Sequence, residues 1–269
     1  MSGEGRGWLA GCMLALTLFV APATAMAQTP AADSARARRE PLFVPRDALY
    51  AGGFLVGALA MYPIDRTVAD LVQQPSRQAN HLLRGSATGF RLLGNPGSIL
   101  ISSGMYAVGR VAGHSELADV GLHTAESLTM AIALTGALKG AVGRARPEAD
   151  QEHPYSFGFG RGFSADSFQS FPSGHTSSAF ATAAAVSAEI GRLYPKHRVW
   201  VKPLLYGGAG LVGVSRTYNN KHWASDVVAG AALGTFSGWK VVRYNHTHRG
   251  NRLDRLFLTP QGIVVSWTF

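Results

Sequence analysis

Six stretches of this chain are apolar over the length of a helix, and segments containing polar residues, glycine or proline separate them. Apolar runs of this length predict α-helices rather than the shorter strands of a sheet. The pattern therefore predicts an all-α fold, a bundle of about six helices. The predicted helices cover approximately residues 47–64, 97–112, 117–139, 175–193, 200–214 and 225–242.

Several of these helices carry small residues at four-residue spacing, which lets two helix backbones approach closely. Such spacing is typical both of membrane helices and of tightly packed soluble bundles, so it does not separate the two. The glycines in question are Gly53 and Gly57, Gly136 and Gly140, and Gly230, Gly234 and Gly238.

Three segments outside the predicted helices have distinct characters. Residues 65–96 are irregular, with short amphipathic helical turns allowed around His81 to Leu93. Residues 148–171 form a long loop rich in Gly, Ser and Phe, which is either a lid that selects substrates or a passive connection. The stretch from Leu256 to Phe269 predicts a small β-hairpin that turns at residues 260–262.

The N-terminal residues 1–27 have the organisation of a secretory signal peptide. An apolar core from Trp8 to Val20 precedes the small-residue cleavage site Ala25-Met26-Ala27. The alternative is an uncleaved membrane anchor. Residues 28–46 are polar and arginine-rich, which predicts a flexible lead-in that is either a solvated tail or a contact to anionic lipid headgroups. The remaining boundaries are a helical domain at 47–245 and a C-terminal tail at 246–269.

The chain is basic, with 25 Lys and Arg against 16 Asp and Glu and a formal net charge of +9. Such a balance suits anionic partners: phosphate esters, anionic lipid headgroups or nucleic acid. The sequence contains no nucleic-acid-binding motif, so nucleic acid is not an expected partner. The single cysteine excludes an internal disulfide and a cysteine metal cluster.

Polar residues that can carry chemistry are concentrated in three short clusters. The clusters are Lys139–Pro147, Phe171–His175 and Ser215–Asp226. Each lies at an end of a predicted helix. The bundle is therefore expected to bring these ends together as an active site at one end.

The side chains of these clusters suit a tetrahedral anion such as phosphate. Lys139, Arg146 and Arg216 supply positive charge and many N–H donors. Ser173 stands where the N-cap of the following helix is expected, and a helix start binds anions through its free N–H groups.

Two histidines and an aspartate complete the set. Of His175 and His222, one imidazole can attack phosphorus while the other protonates the leaving oxygen. Asp226 follows His222 by four residues, so on a helix the two side chains share a face. A carboxylate there can hold one imidazole nitrogen as N–H and leave the other free to attack.

The three clusters resemble the type-2 phosphatidic acid phosphatase and vanadium haloperoxidase superfamily, in its phosphatase branch. The matching patterns are Lys-x6-Arg-Pro, Pro-Ser-Gly-His and Ser-Arg-x5-His-x3-Asp, and the resemblance covers roughly residues 120–240. It implies that His222 is the nucleophile, oriented by Asp226, and that His175 is the general acid. It also implies that no metal or other cofactor is needed. The implied phosphate-binding residues are Lys139, Arg146, Ser173, Gly174 and Arg216.

The expected function is a metal-independent phosphatase that hydrolyses phosphate monoesters or pyrophosphates, of a lipid or a soluble ester, through a phosphohistidine. One alternative is a vanadate-dependent haloperoxidase, although the resemblance implies a much longer chain for that activity. The other is a non-catalytic phosphate- or lipid-binding protein, which would not require His175, His222 and Asp226.

The predicted location depends on hydropathy and on topology. A cleaved signal, six membrane spans and a periplasmic site cannot all hold, because three spans would then put Lys139 in the cytoplasm. Segment 117–139 contains acidic residues, segment 200–214 contains Lys202, and the mean hydropathy is only +0.07. These observations favour a domain exported to the periplasm that can lie on a membrane surface. The alternative is an integral inner-membrane protein with a periplasmic active site.

Overall fold

The computed structural model describes residues 43–247 and two short strands at 256–259 and 262–265. The predicted signal peptide and most of the predicted lead-in lie outside the described residues. The α-helices in the described part are α1 (Asp47–Met61), α2 (Asp65–Val72), α3 (Pro75–Gln78), α4 (His81–Leu92), α5 (Ser98–Val111), α6 (Ser115–Val142), α7 (Gly174–Leu193), α8 (Arg198–Tyr218) and α9 (Ala224–Thr247). Short 3-10 turns at Tyr62–Ile64, Arg161–Phe163, Asp166–Phe168 and Pro195–His197 complete the helical elements.

The all-α prediction is confirmed, and each of the six predicted helices has a counterpart that begins and ends within a few residues of it. The strands β1 (Leu256–Thr259) and β2 (Gly262–Val265) pair antiparallel as the predicted hairpin.

The description of residues 65–96 as irregular is wrong where α2 and α3 lie, whereas α4 coincides with the helical turns expected around His81 to Leu93. Asn80 marks the start of α4, since its side chain accepts hydrogen bonds from the N–H groups of Leu82 and Leu83. The two glycines inside α4 have low helix propensity, so the sequence predicts only short turns where 12 residues form a continuous helix. A distorted turn at Leu93–Gly97 then leads into α5.

The centre of the molecule is formed by α6, α7 and α9, which pack on one another. The side chains in this core are mostly alanine, and Ala131, Ala181 and Ala185 are fully buried. Small side chains permit short distances between helix axes. The four-residue glycine spacing serves this purpose in α9, where the residues at 230, 234 and 238 face the backbone of α7. In α1 and α6 the glycines at 53 and 136 face open space instead.

The alternating direction of the last four helices decides where the polar clusters meet. α6 ends and α7 begins at the same end of the core, and there α8 also ends and α9 begins. The connection between α6 and α7 starts at Gly143, whose φ of 59° suits a helix C-terminus. Backbone hydrogen bonds tie this connection down, including those from Gly158 to Gly143 and from Ser170 to Arg144. The loop at 148–171 is therefore packed over this end.

The outer helices expose many large apolar side chains. The most exposed of them lie on α1, α4, α5 and α8 and are 67% to 79% exposed: Leu49, Val56, Leu82, Leu100, Val111, Val199, Trp200 and Leu204. Within the described residues, one helical run, Asp47–Val72, is long and apolar enough to cross a membrane. Only 17% of its most apolar window is buried inside the protein. Exposed apolar area of this extent marks a surface that contacts protein or lipid.

Candidate active site

The first and second clusters meet between the end of α6 and the start of α7. Lys139 lies in the last turn of α6, and its Nζ donates a hydrogen bond to the carbonyl oxygen of Gln169. Gly174 is the first residue of α7, and a Cβ placed on it would lie 3.7 Å from the Cε of Lys139. The ammonium group is therefore beside the helix start that the sequence predicts as an anion site.

Ser173 joins the second cluster to the third. It is the N-cap of α7, and its N–H donates to the carbonyl oxygen of Asp226 over 3.0 Å. Its hydroxyl is 2.8 Å from that of Thr176 and does not cap a backbone N–H of the helix. The first N–H groups of a helix have no partner within that helix, so they suit an anion at this position.

The buried side chain of His222 is fixed by the main chain rather than by a carboxylate. Its Nδ1 is 2.6 Å from the carbonyl oxygen of Ser170 and 3.9 Å from Oδ2 of Asp226. A carbonyl oxygen only accepts hydrogen bonds, so Nδ1 carries the proton and Nε2 carries the lone pair. The tautomer is the one that the sequence reasoning expects, but Ser170 supplies the direct contact that was expected of Asp226.

Asp226 lies at the third position of α9 and is fully buried. Its Oδ2 accepts from the N–H of Trp223 over 2.9 Å, the contact by which a side chain at the third helical position caps the start of a helix. The same oxygen accepts from the hydroxyl of Ser170 over 2.5 Å. Asp226 therefore acts on His222 through Ser170, whose hydroxyl it binds and whose carbonyl holds the imidazole.

The other oxygen of Asp226 belongs to a buried ion network that the sequence analysis missed. Arg144 donates to Oδ1 of Asp226 over 2.6 Å and to Oδ2 of Asp65 over 2.8 Å. Asp65 also accepts from the N–H and the hydroxyl of Ser225. Arg144 and both carboxylates are fully buried, and the guanidinium lies 4.5 Å from the ring centre of Tyr62. Buried charges of this kind require such pairing.

Arg144 stands inside the first polar cluster, so its presence there was a signal that could have singled it out. Asp65 gave no such signal, because it begins a helix within a segment interpreted as irregular.

The two arginines that are expected to bind phosphate, Arg146 and Arg216, differ in their hydrogen-bond partners. Arg146 binds Asp166 in the loop, through Nε to the carbonyl oxygen over 2.9 Å and through Nη2 to Oδ1 over 2.8 Å. Arg216, in the last turn of α8, is 5% exposed, and its buried Nε has no hydrogen-bond partner among the described residues. A buried donor without an acceptor is costly. A phosphoryl oxygen at this position would satisfy it.

The electrostatics of the site are those of several cations around two neutral imidazoles. Burial, then the charges of Arg216, Arg91, Lys139 and Arg146, lower the pKa of His175 to about 4. Burial, then the charges of Lys139, Arg216 and Arg146, also hold the pKa of His222 well below its usual value.

The pKa values of two of the cations, Lys139 and Arg216, are also lowered. Burial, followed by the charge of Arg146, lowers the pKa of Lys139 to about 8 and that of Arg216 to about 10. A bound dianion would relieve all of these positive charges at once. Arg91, an exposed residue at the end of α4, is a further contributor that the sequence analysis did not identify.

The arrangement can therefore perform nucleophilic attack at phosphorus. It combines one imidazole with a free lone pair, a second imidazole that can carry a proton, and cations for the phosphoryl oxygens.

Comparisons with known proteins agree with this chemistry. Residues 121–249 match the family model described as the PAP2 superfamily. The lipid A 1-phosphatase of Porphyromonas gingivalis is 46% identical over 69 residues, which are 26% of this chain and 15% of that protein. The lipid A 1-phosphatase of Rhizobium johnstonii is 38% identical over 104 residues, 38% of each chain. The chain thus covers well under two thirds of the length of these relatives.

One similar solved structure is the transmembrane PAP2 type phosphatidylglycerolphosphate phosphatase of Bacillus subtilis. It matches with a TM-score of 0.57 over 78% of this chain and 100% of that one, at 22% identity. At this identity the likeness establishes a shared fold.

Proposed function

Because residues 121–249 belong to the PAP2 superfamily, we propose that this protein is a phosphatase that cleaves phosphate monoesters or pyrophosphates through a phosphohistidine. The observation that carries the proposal is the environment of His222. Its Nδ1–H donates a hydrogen bond to the carbonyl oxygen of Ser170, which leaves the Nε2 lone pair available, and the charges of Lys139, Arg146 and Arg216 act on the same ring. An attacking base surrounded by cations suits a phosphoryl group.

The proposed reaction has two steps. In the first, Nε2 of His222 forms a bond to phosphorus, the bond from phosphorus to the ester oxygen breaks, and His175 gives its proton to that oxygen. In the second, water attacks the phosphohistidine, His175 takes the proton of the water, and the P–N bond breaks to release phosphate. Lys139, Arg146, Ser173, Gly174 and Arg216 bind the phosphoryl oxygens in both steps.

His175 must be protonated for the first step, although burial and the surrounding cations lower its pKa to about 4 in the protein alone. The substrate resolves this, since its negative phosphoryl group opposes the cations and raises the pKa again. Substrate binding therefore favours the charged form of His175 that the first step needs.

The proposed substrate is a lipid phosphate. The relatives act, by their names, on lipid A and on phosphatidylglycerolphosphate, and the outer helices of this chain expose apolar side chains that can contact a bilayer. The proposed location is a membrane that the protein contacts through these helices, after export directed by residues 1–27. Nucleic acid has no part in the proposal.

The deciding experiment is a rapid acid or base quench with a substrate labelled in its phosphoryl group. The parent protein should give a phosphoenzyme that is stable to base and labile to acid, and His222→Ala should give none and lose turnover. His197→Ala is the matched control, since this histidine is exposed on the 3-10 turn before α8. A His222→Ala protein that keeps its turnover would refute the mechanism, and a panel of lipid and soluble phosphates would rank the substrates.

A further inference from the structure

A second group of ionisable side chains is buried at the opposite end of the helical core. It consists of His123 in α6, Glu189 near the end of α7 and His246 near the end of α9. His123 precedes Lys139 by about four and a half helical turns, which corresponds to roughly 24 Å along α6. The group is therefore separate from the proposed active site, and none of its members belongs to the three motifs.

The two imidazoles converge on a single carboxylate oxygen. Nδ1 of His123 lies 2.6 Å from Oε1 of Glu189, and Nε2 of His246 lies 2.7 Å from the same oxygen. The two rings are nearly perpendicular, at 87°, with their centres 5.3 Å apart. The three candidate ligand atoms lie within 4.8 Å of one another. They thus surround one point from three helices.

We propose that His123, Glu189 and His246 bind a divalent transition-metal ion of the zinc class, with water as the remaining ligand. Two imidazole nitrogens and one carboxylate oxygen are a ligand set that Zn²⁺ accepts, whereas Mg²⁺ and Ca²⁺ prefer oxygen alone. The ion would connect the N-terminal half of α6 to the C-terminal ends of α7 and α9, so its role is structural.

The surroundings suit this ion. Nε of Arg192 donates to Oε2 of Glu189 over 3.2 Å, which orients the carboxylate and leaves Oε1 for the metal. Asp119 and Glu126 lie four residues before and three after His123, on the same face of α6, and add negative charge. Glu189 is fully buried, but the side chain of His246 is 27% exposed and gives the ion a way in.

The geometry needs only a small adjustment. Zn²⁺ lies about 2.0–2.2 Å from nitrogen and oxygen ligands, so two ligand atoms on a tetrahedral ion are roughly 3.3 Å apart. The two nitrogen-to-oxygen distances therefore have to widen by less than about 1 Å. The last turn of α9, which carries His246, can supply this movement because helix ends are the least constrained part of a helix.

The test uses the full-length protein without an affinity tag, stripped with a chelator and titrated with Co²⁺ as a spectroscopic probe. The parent should give a saturable visible absorption with one Co²⁺ per chain, and Zn²⁺ should abolish it by displacement. Zn²⁺ at about a hundred times its dissociation constant should raise the midpoint of thermal unfolding by several degrees. No measurement of phosphatase activity enters the comparison.

Three variants make the result specific. Glu189→Gln and His246→Ala should lose the Co²⁺ absorption and the thermal shift. His153→Ala should keep both, because His153 pairs with a carboxylate, Asp150, at 2.7 Å but is exposed and outside the three-helix group. Should Glu189→Gln not fold, His246→Ala decides, since its side chain is partly exposed. A parent that shows no saturable Co²⁺ absorption, or a His246→Ala protein that retains it, would overturn the proposal in favour of a plain ion network.

Discussion

Asp226 binds two different groups with its two carboxylate oxygens. Oδ1 pairs with Arg144, and Oδ2 accepts from Ser170 and from the start of α9. Its neighbour in the ion network, Asp65, pairs with the same guanidinium but contacts neither Ser170 nor His222 in the described structure. Both aspartates are therefore expected to stabilise the fold, and only Asp226 is expected to contribute to catalysis as well.

Asp226→Asn and Asp65→Asn should both destabilise the protein, because each removes one charge from a buried pair. Such a loss costs about 3–5 kcal/mol, so both midpoints of thermal unfolding should fall to a similar extent. Only Asp226→Asn also disturbs the residue that holds His222. Its kcat, measured where both variants are folded, should be roughly 10²-fold or more below that of Asp65→Asn. Equal values of kcat would assign Asp226 a purely structural role.

Substitution of His175 should have an effect that depends on the leaving group. An alkyl phosphate needs a proton on its departing oxygen, and general acid catalysis contributes about 10²–10⁴-fold. His175→Asn should therefore lower kcat by that factor on an alkyl phosphate and much less on a nitrophenyl phosphate, when P–O cleavage limits both rates. An equal decrease in kcat on both substrates would indicate that His175 only binds phosphate and does not act as the general acid.

The pH dependence should carry the same signature. The pKa of His175 is lowered to about 4 without substrate, so its protonated fraction falls as the pH rises through that value. The phosphoryl group raises this pKa in the complex. The alkaline limb of kcat should thus lie at higher pH than that of kcat/KM, and His175→Asn should lose the limb altogether. Coincident limbs in the parent would contradict the role of the substrate charge.

The motif residues could be identified from the sequence because the spacing within each cluster is local. Lys139 and Arg146 are seven positions apart, and their residue types alone indicate an anion site. The pairing of Arg144 with Asp65 spans 79 positions and follows from the packing of α2 against the site, which no local spacing encodes. The same limit applies to the contact of His222 with the carbonyl of Ser170, since every residue has a carbonyl.

At the scale of the elements, a line of glycines on α9 allows α7 to pack closely against it. A Cβ on Gly234 would overlap the carbonyl oxygen of Ser177 and would lie 2.8 Å from the nitrogen of Ala181. These are backbone atoms, which cannot move aside as the end of a side chain can. The helix pair therefore depends on the missing side chain and not on an attractive contact.

Gly234→Ala should accordingly destabilise the protein by about 1–3 kcal/mol, as overpacking of a core does. Gly136→Ala is the matched control, because a Cβ there meets nothing within 4 Å. In an open helical position this change should be neutral or stabilising by up to about 1 kcal/mol. Thermal unfolding measures both. A Gly234→Ala protein as stable as Gly136→Ala would show that α7 and α9 can separate without cost.

The sequence distinguished these glycines only by their spacing, which is the same in α1, α6 and α9. What separates them is the neighbour that each helix face meets, and this depends on the tertiary arrangement. The long apolar helices were predictable because their pattern is strong over many residues. The short helices α2 and α3 were not, since a few turns contain too few apolar positions to define a period.

At the scale of the whole described structure, the helical domain buries many charged and polar groups beside its alanine core and exposes large apolar side chains on its surface. The buried network around Arg144 lies at one end of the helical core and the group around Glu189 at the other, whereas α1, α4, α5 and α8 expose large apolar side chains. Lipid is a suitable environment for such a periphery, since it does not penalise exposed apolar area.

In place of the surface attachment that hydropathy favours, we therefore expect the protein to stay in the membrane pellet after treatment with high salt or alkaline carbonate and to enter solution only with detergent. Fractionation followed by immunodetection provides the measurement. Replacing Leu49 and Val56 with serine on α1 is expected to weaken the attachment, whereas serine at Ala58, which is buried, tests whether general destabilisation has the same effect. Release of the parent by carbonate would contradict this expectation and support the surface attachment that hydropathy favours.

The link between Arg144 and Asp65 also bears on what can be moved from one protein to another. A fragment cut to residues 121–249 would retain every motif residue and would still lack the carboxylate that holds half of the central guanidinium. A fragment that is to be transferred in working form must therefore begin before α2. A gene fragment or chimera that contains all three motifs but lacks α2 is expected to be inactive. Grafting the motifs onto another bundle would require an aspartate delivered from outside them.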